Sequence, residues 1–227
     1  MKFIKKFFYK RKKSHDVLKL LNPKDLIFDI GAHLGEKSNQ FLEKDMNIIM
    51  LEPLPNCISE LKKKYEKNQN VTIIQKAVSK KIGEEVLEIN TKMPTISTMA
   101  SHWKKGRFSN HDWNSRIIVK TTTLDELIKD FGKPNYIKID VEGYETDVLL
   151  GLSQKVGIIS FEFTSEFIKN ALLCINHLNK LGYEEFNFST GEKRKFFSNW
   201  QNKKNIIDKI EIQIEKDNLL WGDIYCR

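Results

Sequence analysis

Cysteine is scarce and odd in number: Cys57, Cys174 and Cys226 lie far apart. Neither a disulfide framework nor a clustered zinc site is therefore indicated, and a reducing, cytoplasmic compartment is the simplest reading. No apolar run approaches the roughly 18 residues that a membrane-crossing helix needs. The opening segment, Met1 to Lys13, is basic and lacks the continuous apolar core of a signal peptide. Internal repeats, low-complexity tracts and Gly/Ser linkers are also missing, which points to one domain.

What is present is enough for a full core. The 227 residues are 40% hydrophobic and include 14 Phe, 6 Tyr and 4 Trp, which excludes intrinsic disorder. A net charge of +8 is compatible with acidic partners without naming one. Residues 1–24 are read as a basic N-terminal helical segment and 25–227 as the domain. That segment could dock on the domain, or lie as an amphipathic helix on an anionic membrane surface with Phe3, Phe7 and Phe8 dipping in, making the protein peripheral to a membrane. The second basic stretch, Lys193-Arg194-Lys195 with Lys203-Lys204, flanks a helix-like segment, Ser198 to Ile210, and reads as a solvated face.

Short apolar runs alternate with helical patterns. Leu26–Ile30, Asn47–Leu51, Val71–Gln75, Tyr136–Asp140 and Gly157–Phe161 read as strands, completed by Tyr183–Phe188 and Leu219–Tyr225. Helices are expected over Glu36–Lys44, Pro55–Lys67, from Glu145 through Leu150, and over about Ser165–Leu181. Thr123, with Glu126 three residues on, reads as an N-cap. This alternation defines an α/β fold with a mostly parallel central sheet and helices on both faces. An insert over about 83–120 breaks the rhythm. It is expected to hold a hairpin and then an unpatterned stretch, Thr95 to Trp113, that serves as a lid.

Open α/β sheets bind ligands at the carboxyl ends of their strands. The first strand ends Asp29-Ile30-Gly31-Ala32-His33-Leu34-Gly35-Glu36-Lys37-Ser38. The dinucleotide pattern G-x-G-x-x-G fits poorly, because no glycine stands where a pyrophosphate would approach the backbone. Read as D-x-G-x-x-x-G, the loop suits S-adenosylmethionine, and Glu52 at the end of the second strand is placed to take ribose hydroxyls. Asp140 and Glu142 close the fourth strand and Glu162 the fifth, so carboxylates gather at one sheet edge. Glu145 reads equally well as a helix-terminal acid.

Asp29 to Ser38, Glu52-Pro53, Ala77-Val78-Ser79, Thr123-Leu124-Asp125, Ile137 to Glu145 and Trp221-Gly222-Asp223 together resemble the FkbM-type methyltransferases. The resemblance spans about residues 25 to 225 and is strongest in Ile139-Asp140-Val141-Glu142-Gly143. It implies a Rossmann-like class I methyltransferase, S-adenosylmethionine as cofactor, and O-methylation of a sugar or other hydroxyl-bearing small molecule or glycan. One departure is His33, where the family typically has Asn; both types tolerate positive φ. The resemblance assigns Asp29, Gly31 and Gly35 to the methionine end of the cofactor, Glu52 to the ribose and Ala77 or Val78 to the adenine; His33, Ser38 and Asp140 are also counted as cofactor-binding, with His33 either holding the turn or facing substrate. Asp140 falls near the reacting centre, and Ser97-Thr98 match a short Ser-Thr element.

An attacking hydroxyl must lose its proton, and Asp140, Glu142, Glu162 and the histidines His33, His102 and His111 are the candidate catalytic groups, with a strand-edge carboxylate favoured and His102 or His111 of the insert next. The same acids offer oxygen ligands suited to Mg²⁺, but no metal is predicted. Nucleic-acid methylation is the first rival; here the strand-edge acids would repel phosphates. A non-catalytic module binding a polyanion or membrane surface is the second, and intact Gly31, Gly35, Glu52 and Asp140 argue against it.

Overall fold

A computed structural model describes residues 15–227. The basic stretch Met1 to Lys13, and with it the membrane-surface reading, lies outside the described residues. Residues 15–24 belong to the body of the domain: a 3-10 turn over Asp16–Lys19 sends Val17 and Leu18, followed by Leu21, into the core. Among the described residues no helix is long and apolar enough to cross a membrane.

In chain order the elements are β1 (Leu26–Ile30), α1 (Asn39–Leu42), β2 (Asn47–Leu51), α2 (Pro55–Tyr65), β3 (Val71–Ile74), β4 (Ala77–Val78), β5 (Gly83–Ile89) and β6 (Ser115–Thr122). There follow α3 (Leu124–Phe131), β7 (Tyr136–Ile139), α4 (Glu145–Leu149), β8 (Ile158–Thr164), α5 (Ile168–Lys180), β9 (Phe186–Phe188), α6 (Lys203–Lys216) and β10 (Trp221–Cys226). The central sheet runs β3-β2-β1-β7-β8-β10-β9, parallel from β3 through β8, with β10 antiparallel to both its neighbours. The order of strands reverses between β1 and β7, so the connections that leave their carboxyl ends run to opposite faces of the sheet and leave a crevice there.

Alternation along the strands sorts side chains onto two faces. Phe28, Ile30, Ile137, Ile139 and Phe161 pack with Leu124 and Leu127 of α3, Val148 of α4 and Ile175 of α5. Ile27, Ile48 and Met50 pack on the other face with Phe41, Ile58 and Leu61 from α1 and α2. Each such fully buried side chain contributes about 1.5–3 kcal/mol. Thr123 caps α3 as its spacing predicts, its Oγ1 accepting from the Glu126 amide at 3.1 Å.

Three elements differ from expectation. The helix read over Glu36–Lys44 shrinks to Asn39–Leu42, because Ser38, at the point where the chain leaves its turns, donates its hydroxyl to buried Asp29. The helix read over Ser198–Ile210 begins at Lys203, where the Asn202 side chain accepts from the Asn205 amide at 2.9 Å. The expected hairpin does not precede the unpatterned stretch but brackets it. β5 and β6 pair antiparallel from Gly83↔Thr121 to Ile89↔Ser115, with the stretch as their connection. With β4 they form a second, three-stranded sheet whose Leu87 and Val119 pack on Leu54, Cys57 and Ala77.

Candidate active site

At the β1–β7 crevice the chain approaches itself so closely that only glycine fits. A Cβ on Gly31 would lie 2.0 Å from the Asp140 carbonyl oxygen, and its φ is +78°. The amides of Gly31 and Ala32 both donate to the Leu51 carbonyl at 3.0 Å, stitching the loop to the end of β2. Gly31→Ala is expected to cost about 2–4 kcal/mol, from positive φ and overpacking together. Urea denaturation of the two proteins measures it.

Glu52 stands under this loop, 4% exposed. Its Oε2 accepts from the His33 amide and its Oε1 from the Leu54 amide, both at 2.9 Å. Burial pushes its carboxyl up to about 7, against the pull of those two amides. Because the folded value lies above the ordinary one, the native state holds this proton longer than the unfolded chain. The cofactor-free fold should therefore lose stability as pH rises from about 4.5 through about 7. If Glu52 is the ribose acceptor that the resemblance assigns, hydroxyl donors favour the carboxylate and cofactor affinity should run the opposite way. It is expected to fall up to about tenfold per pH unit below 7. Titration calorimetry at several pH values checks this, and Glu52→Gln should flatten the dependence.

A cleft of about 360 Å³ opens above these strand ends, within the range of small-molecule sites. Gly31, Ala32, His33, Glu52, Ala77 and Val78 line one side; Asp140, Glu142, Glu162 and Trp221 line the other. Three residues assigned to the cofactor stand behind this wall. Asp29, 1% exposed, accepts from the Ser38 hydroxyl. Gly35 makes room for Tyr65, whose ring a Cβ would approach to 2.6 Å. These three shape the loop from below.

Lys138, 6% exposed within an otherwise apolar strand, joins Asp29 to the crevice. It is in register with Asp29 across β1 and β7. Its Nζ lies 3.2 Å from Asp29 Oδ1 and 3.4 Å from Asp140 Oδ2. Lys37 also ion-pairs with Asp140. Burial opposes the charge on Asp140, but the two ammonium groups outweigh it and hold the carboxyl below its usual range. The carboxylates of Glu142 and Glu162 have no hydrogen bond or ion pair among the described residues. Desolvation first, and the charge of Asp140 second, push both well above the ordinary range. The strand-edge acids thus divide into one weak base and two strong ones.

The turn that presents Glu142 is held from several sides. Glu142 and Gly143 both take positive φ, +55° and +90°. Glu145 Oε1 accepts from the amides of Val141 and Gly143 at 3.2 Å, so it acts within the turn. The insert supports the turn from outside: the Thr98 hydroxyl donates to the Glu142 carbonyl at 2.6 Å, and Trp103, 4% exposed, packs against Gly143. Ser97 lines the cleft. His102 does not. It lines a smaller cavity beside α5, its Nε2 2.8 Å from Asn170 Nδ2 and its ring edge-on to Phe167. Lys37, Lys138 and Trp221 are site residues that sequence reasoning gave no role. A charge inside the apolar run Tyr136–Ile139 was the available signal for Lys138, since such a group is almost always paired.

This seven-stranded order, with one antiparallel strand next to the edge and an acid-ended second strand at the crevice, defines a class I methyltransferase. The model of the methyltransferase FkbM domain matches residues 29–213, and the chain belongs to that family. It is 26% identical over 153 residues to the hexuronic acid methyltransferase AglP of Haloferax volcanii, an alignment covering 64% of this chain and 59% of that protein. Among solved structures, the precorrin-6y C5,15-methyltransferase of Geobacter metallireducens aligns with a TM-score of 0.46 at 13% identity, over 92% of this chain and 82% of that one. The fibrillarin of Aeropyrum pernix, solved with S-adenosyl-L-methionine, aligns with a TM-score of 0.46 at 10% identity, over 93% and 72%.

Proposed function

We propose that this protein transfers a methyl group from S-adenosylmethionine to a hydroxyl oxygen of a sugar or similar small acceptor, with the Glu142–Glu162 pair receiving the proton. The observation that carries this reading is one continuous cleft. At one end Glu52 is set for a ribose; at the other stand two unpaired glutamates. The name of the Haloferax relative adds support for a sugar acceptor.

When bound, the cofactor supplies a methyl group already activated on a sulfonium. The residues here have three tasks. Glu52, with Gly31 and His33, would hold the cofactor at the β1 end of the cleft. Ala77 and Val78 border the adenine. At the other end an ionised carboxylate of the glutamate pair accepts the hydroxyl proton as oxygen attacks, a contribution of about 10²–10⁴-fold. The insert, whose Pro94, Thr95, Ser97 and Met99 line the cleft, is proposed to cover the acceptor and exclude water.

Calorimetric titration of the protein with S-adenosylmethionine and S-adenosylhomocysteine, followed by transfer of labelled methyl to a sugar panel, tests the reading. Binding of both cofactor forms and label in an ether linkage are expected. A protein that binds NADH and neither cofactor form would end it.

One observation favours a second reading of the acids: Asp140, Glu142 and Glu162 offer oxygens all within 4.8 Å of one another, a set that could hold a divalent cation. Turnover abolished by chelator and restored by Mg²⁺ would support it. Indifference to chelator leaves the proton-accepting role.

A further inference from the structure

The acceptor end of the cleft has a chemical character of its own. It lies over β7, β8 and β10, beyond the strands that carry the cofactor loop. β10 runs antiparallel, so its first residue, Trp221, sits at the carboxyl edge opposite Thr164, two residues past Glu162. Trp221 is half-buried, lines the cleft, and stands beside the turn at Gly191 that also brings Glu192 to the cleft. Glu142 and Glu162 complete this end.

The charges here are one-sided. The molecule as a whole carries +8, yet this end of the cleft presents carboxylates. Of the lysines that line the cleft, Lys37 and Lys138 are already paired with Asp140. Lys76 follows β3, on the side of Ala77 and Val78. Among the described residues no arginine lines the cleft. Among the described residues, a substrate carboxylate or phosphate placed over Trp221 would meet glutamates and no uncommitted cation at this end of the cleft.

Aromatic face and carboxylates together match an uncharged sugar. The C–H face of a pyranose presents apolar surface to an indole ring, while its hydroxyls donate to carboxylates in charge-assisted hydrogen bonds. Resting on the O-methylation reading above, we infer that the acceptor is a sugar carrying no negative charge. Trp221 is its stacking platform, and the glutamate pair in the ionised form that can accept the proton repels uronic acids and sugar phosphates. This separates the chain from its Haloferax relative, whose name specifies a hexuronic acid.

The experiment pairs each aryl hexoside with the corresponding hexuronide (glucoside with glucuronide, galactoside with galacturonide). Methyl transfer from labelled S-adenosylmethionine by the full chain is the readout. Neutral glycosides are expected to exceed their hexuronides by about 100-fold or more in kcat/KM. Trp221→Leu should raise KM for the neutral glycosides about tenfold or more, with Trp221→Phe recovering part of the loss. S-adenosylmethionine affinity, measured by calorimetry on each variant, should stay unchanged and report that the variant is folded. Equal or greater transfer to hexuronides overturns the inference while O-methylation stands. So does an unchanged KM in Trp221→Leu. Failure to form S-adenosylhomocysteine with any glycoside, with the cofactor bound, overturns the parent reading and this inference with it.

Discussion

Lys138→Met is expected to destabilise the protein by about 3–5 kcal/mol, read as a lower urea midpoint. The change keeps the side chain's length and removes its charge. Asp29, buried under the cofactor loop, then retains the Ser38 hydroxyl but faces no cation within 4 Å among the described residues. An uncompensated charge in that position is the costly outcome, more than the loss of an attraction. Pairing the change with Asp29→Asn should restore much of the stability, because both charges then leave together. A double variant no better than the single one would place the cost in packing.

Glu162→Gln is expected to lower turnover by about 10²–10⁴-fold while leaving S-adenosylmethionine affinity unchanged. Asp140→Asn should lose less in turnover, because Lys37 and Lys138 already hold Asp140 as a weak base. Glu142→Gln should resemble Glu162→Gln, and the double variant should be far from additive if the two act as one unit. A base must be ionised to work, and the pair lies above the ordinary glutamate range. The rising limb of the pH–rate profile should therefore sit at higher pH than an isolated glutamate would give. A larger turnover loss in Asp140→Asn than in Glu162→Gln would return the proton to Asp140.

The parallel strands were legible as short apolar runs, several of them closed by a turn residue or an acid, as in Leu26–Ile30 before Gly31. The cleft-lining loop and Glu52 were legible for the same reason: both stand where an apolar run stops. What escaped was information carried by partners distant in the chain. Nothing local to Glu36–Lys44 says that Ser38 will turn toward Asp29 and delay the helix. Histidine chemistry drew attention to His102; its ring, held by Asn170 and Phe167, lines the smaller cavity beside α5 rather than the main cleft. The relative base strengths of Asp140, Glu142 and Glu162 depend on which of them the two lysines reach, and only the folded chain decides that.

The insert's grip on the turn after β7 makes two parts of the molecule one mechanical unit. Thr98 holds the carbonyl of Glu142, and Trp103 fills the space that Gly143 leaves open. If the insert swings out to admit an acceptor, the peptide carrying Glu142 must lose both supports. The open enzyme would then be a disarmed one. Admission of substrate and assembly of the proton acceptor become a single event, so a bound cofactor would not face a competent base while the cleft stands open to water.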